Sequence, residues 1–135
     1  MLENNIKLCD MSTPSLAYLG DCVLELLVRE RLTCMGISSS KNLNKEALKF
    51  VSAPSQAAAM KNIIELLSEE EAGYFRRGRN IGHTNTPKNA TVSEYRTATG
   101  METLFGFLHL SGHKDRAREL FALAYPIEKE NDQIT

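Results

Sequence analysis

Apolar residues recur at helical spacing through most of this chain, and the segments that carry them follow helix-starting signals. Ser52 stands two residues before Pro54, and Ser68 and Thr91 each stand three residues before a glutamate. A hydroxyl side chain at such a position caps the first free N–H groups of a helix, and the glutamate completes a capping box. Because no alternating strand pattern competes with this periodicity, the sequence predicts an all-α protein.

The same signals predict six helices and one long polar loop. The first helix is expected to have Thr13 as its N-cap and Pro14 at its first position, and to stop at Gly36. A short helix should follow the serines at 38–40, and the next should begin at Ser52. The remaining helices are predicted to run from Ser68 to about residue 79, from Thr91 to about 110, and from about 114 to 124, with the polar loop over 80–91.

Length and composition limit the possible organisation. The chain has 135 residues, 42% of them hydrophobic, and a net charge of −1, which fits one globular domain. We expect this domain to cover residues 1–126 and a polar tail to cover 127–135. The three cysteines form no C-x-x-C pair, and no run reaches the roughly 18 apolar residues of a membrane span. We therefore predict a soluble cytoplasmic protein with free thiols and no membrane partner.

The first predicted helix combines an apolar surface with two carboxylates. A helix that is apolar on nearly all sides is buried, either centrally or in an interface between subunits. Asp21 and Glu25 lie four residues apart and therefore share one face. Gly20 lowers helix propensity by about 1 kcal/mol relative to alanine, which suggests close approach by another backbone. The spacing leaves open whether these carboxylates pair with arginines such as Arg29 or bind a ligand.

The fifth predicted helix carries a carboxylate between small residues. Ala98, Thr99 and Gly106 lie on the same side of the helix as Glu102 and leave room for a ligand or a second helix. Two carboxylates from different helices could hold Mg²⁺, which prefers oxygen ligands and keeps several waters. The spacing alone does not bring Asp21 and Glu102 together.

Positive charge is concentrated between residues 76 and 96. Five basic residues against Glu94 give this segment a balance of +4, and its loop is rich in glycine and asparagine. Such groups suit a phosphate backbone, although arginines at a helix end also complement the helix dipole. No aromatic platform accompanies them, which favours a duplex over a single strand. The basic residues are Arg76, Arg77, Arg79, Lys88 and Arg96.

Four motifs in this order resemble the ribonuclease III family. Residues 16–25, LAYLGDCVLE, are similar to the signature helix of its catalytic domain, which contains L-G-D-x-V-L. Residues 102–107, ETLFGF, are similar to its second acidic motif. Between them, RRGRN at 76–80 and PKN at 87–89 resemble the compact Mini-III branch. The resemblance covers roughly residues 10–125 and is specific because the motifs occur together.

This resemblance implies a helical endonuclease domain that forms a homodimer and lacks a double-stranded RNA-binding domain. Asp21 and Glu102 would be the catalytic and Mg²⁺-binding residues. Each subunit would cut one strand of an RNA duplex and leave 5′-phosphate and 3′-hydroxyl ends. The residues implied in RNA binding are Arg76, Arg77, Arg79, Asn80, Lys88, Asn89 and Arg96.

The resemblance also implies a biological substrate, and the sequence departs from the larger family at three positions. The substrate would be the precursor of the large-subunit (23S) ribosomal RNA, with a ribosomal protein presenting the paired stem. Full-length ribonuclease III carries acidic residues where this chain has Pro14, Ala17 and Thr99. This reduced acidic set leaves two alternatives open: an inactive dimer that only binds duplex RNA, and a helical dimer with a purely structural role.

Overall fold

A computed structural model describes residues 6–81 and 89–127, which form six α-helices and two short 3-10 turns. The turns are Leu8–Asp10 and Ile64–Leu66. No helix within these ranges is both long and apolar enough to cross a membrane. The all-α prediction is confirmed. The helices are α1 (Thr13–Cys34), α2 (Ser40–Val51), α3 (Ala53–Ile63), α4 (Glu69–Arg79), α5 (Val92–Leu110) and α6 (Lys114–Ala124).

Hydroxyl caps start α2 to α5 as the sequence predicts. Ser39 accepts a hydrogen bond from the third residue of α2, and Ser52 does the same for α3. The two predicted capping boxes, Ser68 with Glu71 and Thr91 with Glu94, are both complete. The predicted loop over 80–91 falls largely on residues 82–88, which lie outside the described residues.

The predicted start of α1 is wrong by one residue. Ser12 is the N-cap, because its backbone is extended and its hydroxyl accepts a hydrogen bond from the amide of Ser15 at 3.1 Å. Thr13 is already helical, and its hydroxyl accepts a hydrogen bond from Arg77 instead. At the other end, Gly36 has a φ of 84°, a left-handed conformation that stops a helix without the strain a Cβ would add.

The central helix of the fold is α5, which packs against α1, α3, α4 and α6. Its residues 98–108 are buried apart from Glu102, which is half-buried. Met101, Leu104 and Phe105 are fully inaccessible and join the main hydrophobic core. A polar group within this part of α5 therefore lies close to the core.

One face of α1 stays open in the single chain. Leu16, Leu24 and Leu32 are buried against the core, whereas the side chains of Tyr18 and Leu26 are 86% and 55% exposed. Central burial of α1 on all sides is therefore wrong for the single chain. Because Tyr18 and Leu26 are eight residues apart, they lie on one stripe of the helix.

Candidate active site

The crossing of α1 and α5 is built on two glycines that face each other. A Cβ atom on Gly20 would collide with the backbone carbonyl of Glu102 and lie 2.8 Å from the amide nitrogen of Gly106. A Cβ atom on Gly106 would collide with the carbonyl oxygen of Leu16. The two backbones can approach this closely only because neither position carries a side chain. We call Gly20, Asp21, Glu102 and Gly106 the acidic crossing.

The acidic crossing brings together the two carboxylates that the sequence could not place. Asp21 is exposed on α1, Glu102 is half-buried on α5, and their carboxyl groups lie within hydrogen-bonding contact. Burial raises the pKa of Glu102 to about 8, with a further contribution from the negative charge and the hydrogen bond of Asp21. At neutral pH, Glu102 is therefore mostly protonated and donates its proton toward Asp21.

This donor set fits a divalent cation that prefers oxygen. A bound cation would favour the charged form of both carboxyl groups and offset the repulsion between them. Within residues 6–81 and 89–127, no group of three or more histidine, cysteine, aspartate or glutamate side chains could hold a metal ion. A two-carboxylate site suits Mg²⁺, because this ion keeps several waters and needs few protein ligands.

The structure gives Glu25 a partner on its own helix. Its carboxylate accepts a hydrogen bond from Nε of Arg29 at 3.1 Å, and their closest ion-pair distance is 3.0 Å. Of the two interpretations that the spacing left open, the ion pair with Arg29 is the one observed for Glu25. Asp21, on the same face one turn earlier, instead contacts Glu102.

A second glycine pair joins α4 to α5. A Cβ atom on Gly78 would lie 2.7 Å from both the Cα of Gly100 and the carbonyl oxygen of Thr99. A Cβ atom on Gly100 would lie 2.7 Å from the ring of Phe75. The glycine in the RRGRN motif therefore serves close packing between helices. We call the turn of α4 around it, with Arg76, Arg77, Arg79 and Asn80, the basic end of α4.

The arginines of the basic end have different surroundings. Arg76 is exposed and makes no ion pair or hydrogen bond with its side chain among the described residues. Arg79 is half-buried; its Nε donates to Oδ1 of Asn80 at 3.4 Å, and its guanidinium lies 5.7 Å from the ring centre of Phe75. Arg79 also lines a cavity of about 410 Å³ with Lys61. The side chains of Arg76 and Arg79 are therefore accessible to an anionic partner.

The third arginine, Arg77, is held by other parts of the chain. Its guanidinium donates to the carbonyl oxygen of Met11 at 2.7 Å and to the hydroxyl of Thr13 at 3.2 Å. It also lies 5.0 Å from the ring centre of Tyr74, and that ring stacks on Phe107 at 4.0 Å. These contacts tie α4 to the start of α1.

The remaining predicted RNA-binding residues lie at the end of α4 and around the start of α5. Asn80 is exposed at the end of α4, and Arg96 is exposed in the first turns of α5. Asn89 is exposed shortly before α5 begins. Lys88 lies outside the described residues. The basic segment is thus divided between the end of one helix and the beginning of the next.

Two features of the site escaped the sequence analysis. The contacts of Arg77 with Met11 and Thr13 join residues more than 60 positions apart, and no local pattern indicates them. The sequence does carry a signal for the packing role of Gly78, because a glycine inside a helix costs about 1 kcal/mol relative to alanine and therefore calls for an explanation.

Comparison with known proteins gives a consistent match. Residues 14–113 match the Ribonuclease III domain family. The chain is 40% identical to a Mini-ribonuclease 3 of Thermoanaerobacter sp. (strain X514), covering 85% of this chain and 81% of that protein. It is 42% identical to a Mini-ribonuclease 3 of Enterococcus faecalis (strain ATCC 700802 / V583), covering 78% and 82% respectively.

A solved structure supports the same assignment of the fold. An X-ray crystal structure of a Fusobacterium nucleatum protein superimposes with a TM-score of 0.75 and is 32% identical in sequence. The match covers 83% of this chain and 89% of that one. The arrangement of helices around α5 is therefore shared with a protein whose structure is known by experiment.

Proposed function

Since this chain belongs to the ribonuclease III family and is an endoribonuclease, we propose that it cleaves double-stranded RNA at the acidic crossing, with Asp21 and Glu102 as its catalytic and Mg²⁺-binding residues. The observation that carries the proposal is the contact between these two carboxyl groups from different helices. Their motifs are the ones by which the sequence resembles the family. The coincidence of motif, contact and raised pKa distinguishes this place from the other acidic residues.

The two carboxylates have complementary tasks. Exposed Asp21 offers a carboxylate that a cation and a phosphate can reach from solvent. Glu102, whose pKa is about 8, holds a proton at neutral pH and releases it when a cation compensates the second negative charge. Bound Mg²⁺ would supply Lewis acidity at the scissile phosphate and a water activated for hydrolysis. Glycines 20 and 106 let α1 and α5 approach closely, so that Asp21 and Glu102 would both be available to hold the ion.

The basic end of α4 supports the choice of duplex RNA. Arg76, Arg79 and Asn80 present exposed or half-exposed donors near the end of one helix, and Asn89 and Arg96 present others around the start of α5. Phosphate contacts of this kind position a nucleic acid without reading its sequence. We therefore include these residues, together with Lys88, in the proposed RNA-binding surface. The contacts of Arg77 favour a different role for it.

We further propose that the chain acts as a homodimer through the open face of α1. Tyr18, Cys22 and Leu26 recur every four residues along this face and are exposed in the single chain. An isologous interface there would bury these residues and place two acidic crossings near one two-fold axis. Two such sites would cut opposite strands of one duplex.

The dimer can be tested separately from cleavage. Leu26→Glu should shift the protein to monomer in sedimentation velocity, because a charge would be buried in the interface. Leu123→Glu on α6 is the matched control, since Leu123 is also exposed, at 45%, but lies on another helix. A dimer that persists in Leu26→Glu and dissociates in Leu123→Glu would place the interface on α6.

The proposed biological role is maturation of the large-subunit (23S) ribosomal RNA precursor in the cytoplasm, with a ribosomal protein presenting the stem. The sequence resemblance supports the substrate, and the exposed thiols of Cys9, Cys22 and Cys34 suit a reducing compartment. A precursor stem incubated with the protein should be cut at defined positions on both strands. Uniform degradation of the same stem would contradict a maturation role.

The alternative function is an inactive dimer that only binds duplex RNA. The reduced acidic set motivates it, because Pro14, Ala17 and Thr99 replace acidic residues of full-length ribonuclease III. The raised pKa of Glu102 beside Asp21 favours the enzyme, since a pure binder has no use for a half-buried acid next to a second carboxyl group that costs stability.

The deciding experiment is digestion of an end-labelled RNA duplex by the purified protein, with Mg²⁺ or with a chelator. Either strand alone is the control substrate. We expect Mg²⁺-dependent internal cuts in the duplex with 5′-phosphate and 3′-hydroxyl ends, and little cutting of the single strands. Duplex that is retarded in a gel yet stays intact with Mg²⁺ would support the binding-only alternative, and cutting of single strands at equal rates would contradict the substrate class.

A further inference from the structure

The packing around α5 leaves α1 and α4 on different sides of the central helix. The residues of α5 that contact α4 include Thr99, Gly100, Thr103 and Phe107, whereas those at the acidic crossing are Glu102 and Gly106. At about 100° per residue, Gly100 and Glu102 point in nearly opposite directions around the helix axis. The basic end of α4 and the catalytic face of α1 are therefore positioned on α5 by separate glycine contacts, and any direct contact between α4 and α1 constrains their relative position further.

Arg77 supplies such a link. Its guanidinium donates to Met11 and Thr13 at 2.7 and 3.2 Å, immediately before and at the first residue of α1. The ring of Tyr74 lies 5.0 Å below the guanidinium and is itself stacked on Phe107 of α5. A planar guanidinium can make two hydrogen bonds and stack at the same time, which a lysine ammonium cannot reproduce.

The neighbouring Arg76 has the accessibility that a phosphate-binding side chain needs. Arg76 is exposed and makes no side-chain hydrogen bond or ion pair with any described residue, so its charge is available to a partner. Arg77 is half-buried, and two of its five N–H donors are bound to Met11 and Thr13. The two residues are adjacent in the sequence, yet the fold uses them differently.

We propose that Arg77 is a positioning residue: it ties the basic end of α4 to the start of α1, and so sets where a bound duplex lies relative to Asp21 and Glu102, without itself binding phosphate. The inference rests on the proposed duplex-cleaving function. It differs from the assignment by motif, which places Arg77 among the RNA ligands. Its loss should leave RNA affinity largely intact and reduce the rate at which bound RNA is cut.

The experiment separates binding from cleavage in the full chain. Affinity for an RNA duplex is measured by fluorescence anisotropy in chelator at several salt concentrations, and the single-turnover cleavage rate is measured with saturating protein and Mg²⁺. Both are measured well below the melting temperature of each variant. If the wild-type protein cuts no duplex, the proposed function fails before Arg77 is tested.

For Arg77→Lys, we expect affinity within about twofold of wild type and a cleavage rate reduced about tenfold. Arg77→Ala should leave the slope of log affinity against log salt unchanged, whereas Arg76→Ala should reduce its magnitude by about one, as expected for a lost phosphate contact. A wild-type cleavage rate in Arg77→Lys, or a reduced slope in Arg77→Ala, would overturn the proposal.

Thr13 provides a second approach that leaves every charge in place. Thr13→Val removes the hydroxyl that Arg77 contacts and should lower the cleavage rate about threefold, while Thr13→Ser keeps the hydroxyl and the rate. In Arg77→Lys combined with Thr13→Val, the rate should fall no further than in Arg77→Lys alone, because the two changes break one interaction. If the Arg77 variants fail to fold, Thr13→Val decides: a wild-type rate in that variant would overturn the proposal.

Discussion

The acidic crossing and the basic end of α4 both depend on a glycine pair that brings a helix against α5. They differ in how far their charged side chains are exposed to solvent. At the acidic crossing, a half-buried Glu102 lies against Asp21, and its pKa is raised to about 8. At the basic end, Arg76 extends into solvent. Burial changes the protonation of Glu102, whereas the charge of Arg76 stays accessible to a partner.

The largest effect on stability should come from adding a side chain at the glycine contact of the acidic crossing. Gly20→Ala would drive a methyl group into the backbone of Glu102, so we expect the free energy of unfolding to fall by about 3 kcal/mol or more. Gly73→Ala on α4 is the control, because the nearest atom to its added Cβ is the end of the Arg76 side chain, 4.0 Å away. Chemical denaturation compares the two variants.

The control should respond in the opposite direction. Replacing a glycine in a helix with alanine, where space is free, stabilises a protein by about 0.5–1 kcal/mol. Gly78→Ala, at the other glycine contact, should destabilise as Gly20→Ala does, because its Cβ would meet the backbone of Thr99 and Gly100. If Gly20→Ala were as stable as Gly73→Ala, the close approach of α1 and α5 would be contradicted.

A smaller effect should follow from the raised pKa of Glu102. Because its pKa is about 8 in the folded protein and near 4.5 in the unfolded chain, the folded state binds the extra proton between these pH values. The contribution of Glu102 to stability is therefore full below about pH 4.5 and is lost as the pH rises through about 8. In chelator, the wild-type protein should lose a few kcal/mol relative to Glu102→Gln over this range.

Thermal melts of wild type and Glu102→Gln at a series of pH values measure this difference. Glu65→Gln, which changes an exposed glutamate elsewhere, is the control and should follow wild type. Adding Mg²⁺ at pH 8 should raise the melting temperature of wild type but not of Glu102→Gln, because only wild type keeps both carboxylates. If the melting temperatures of wild type and Glu102→Gln changed in parallel from pH 5 to 8, the pKa of Glu102 would not be raised by burial and by Asp21.

The smallest effect concerns the exposed charge at the basic end. Arg76→Ala should weaken duplex binding and lower the magnitude of its salt slope by about one, with no change in melting temperature. Arg118→Ala on α6 removes the same charge from another surface, where the arginine pairs with Glu30. Equal salt slopes for wild type and Arg76→Ala would remove this residue from the RNA-binding surface.

The sequence predicts most of the fold because its helix signals are local. The hydroxyls and glutamates of the capping boxes lie within four residues of each other, and Gly36 stops α1 through its own backbone freedom. The error at Thr13 is a choice between two adjacent hydroxyls: Ser12 caps the helix, and the hydroxyl of Thr13 accepts a hydrogen bond from Arg77, 64 positions later. Local patterns carry no information about such a partner.

The candidate site was predictable in its residues but not in its properties. The motif resemblance singles out Asp21 and Glu102, yet their contact depends on how closely Gly20 approaches Glu102 in three dimensions. The different contacts of Arg76 and Arg77 cannot be predicted from the sequence, because both residues stand in one basic run. They become visible only when Met11 and Thr13 are seen beside Arg77.

The most direct test of the central claim compares Asp21→Asn with Asp115→Asn in the duplex digestion with Mg²⁺. Both changes replace an exposed aspartate with its neutral isostere, and only Asp21 lies at the acidic crossing. We predict that Asp21→Asn binds duplex RNA yet cuts it about a thousandfold more slowly, whereas Asp115→Asn cuts as wild type does. Cleavage at the wild-type rate by folded Asp21→Asn would contradict the assignment of catalysis to this crossing.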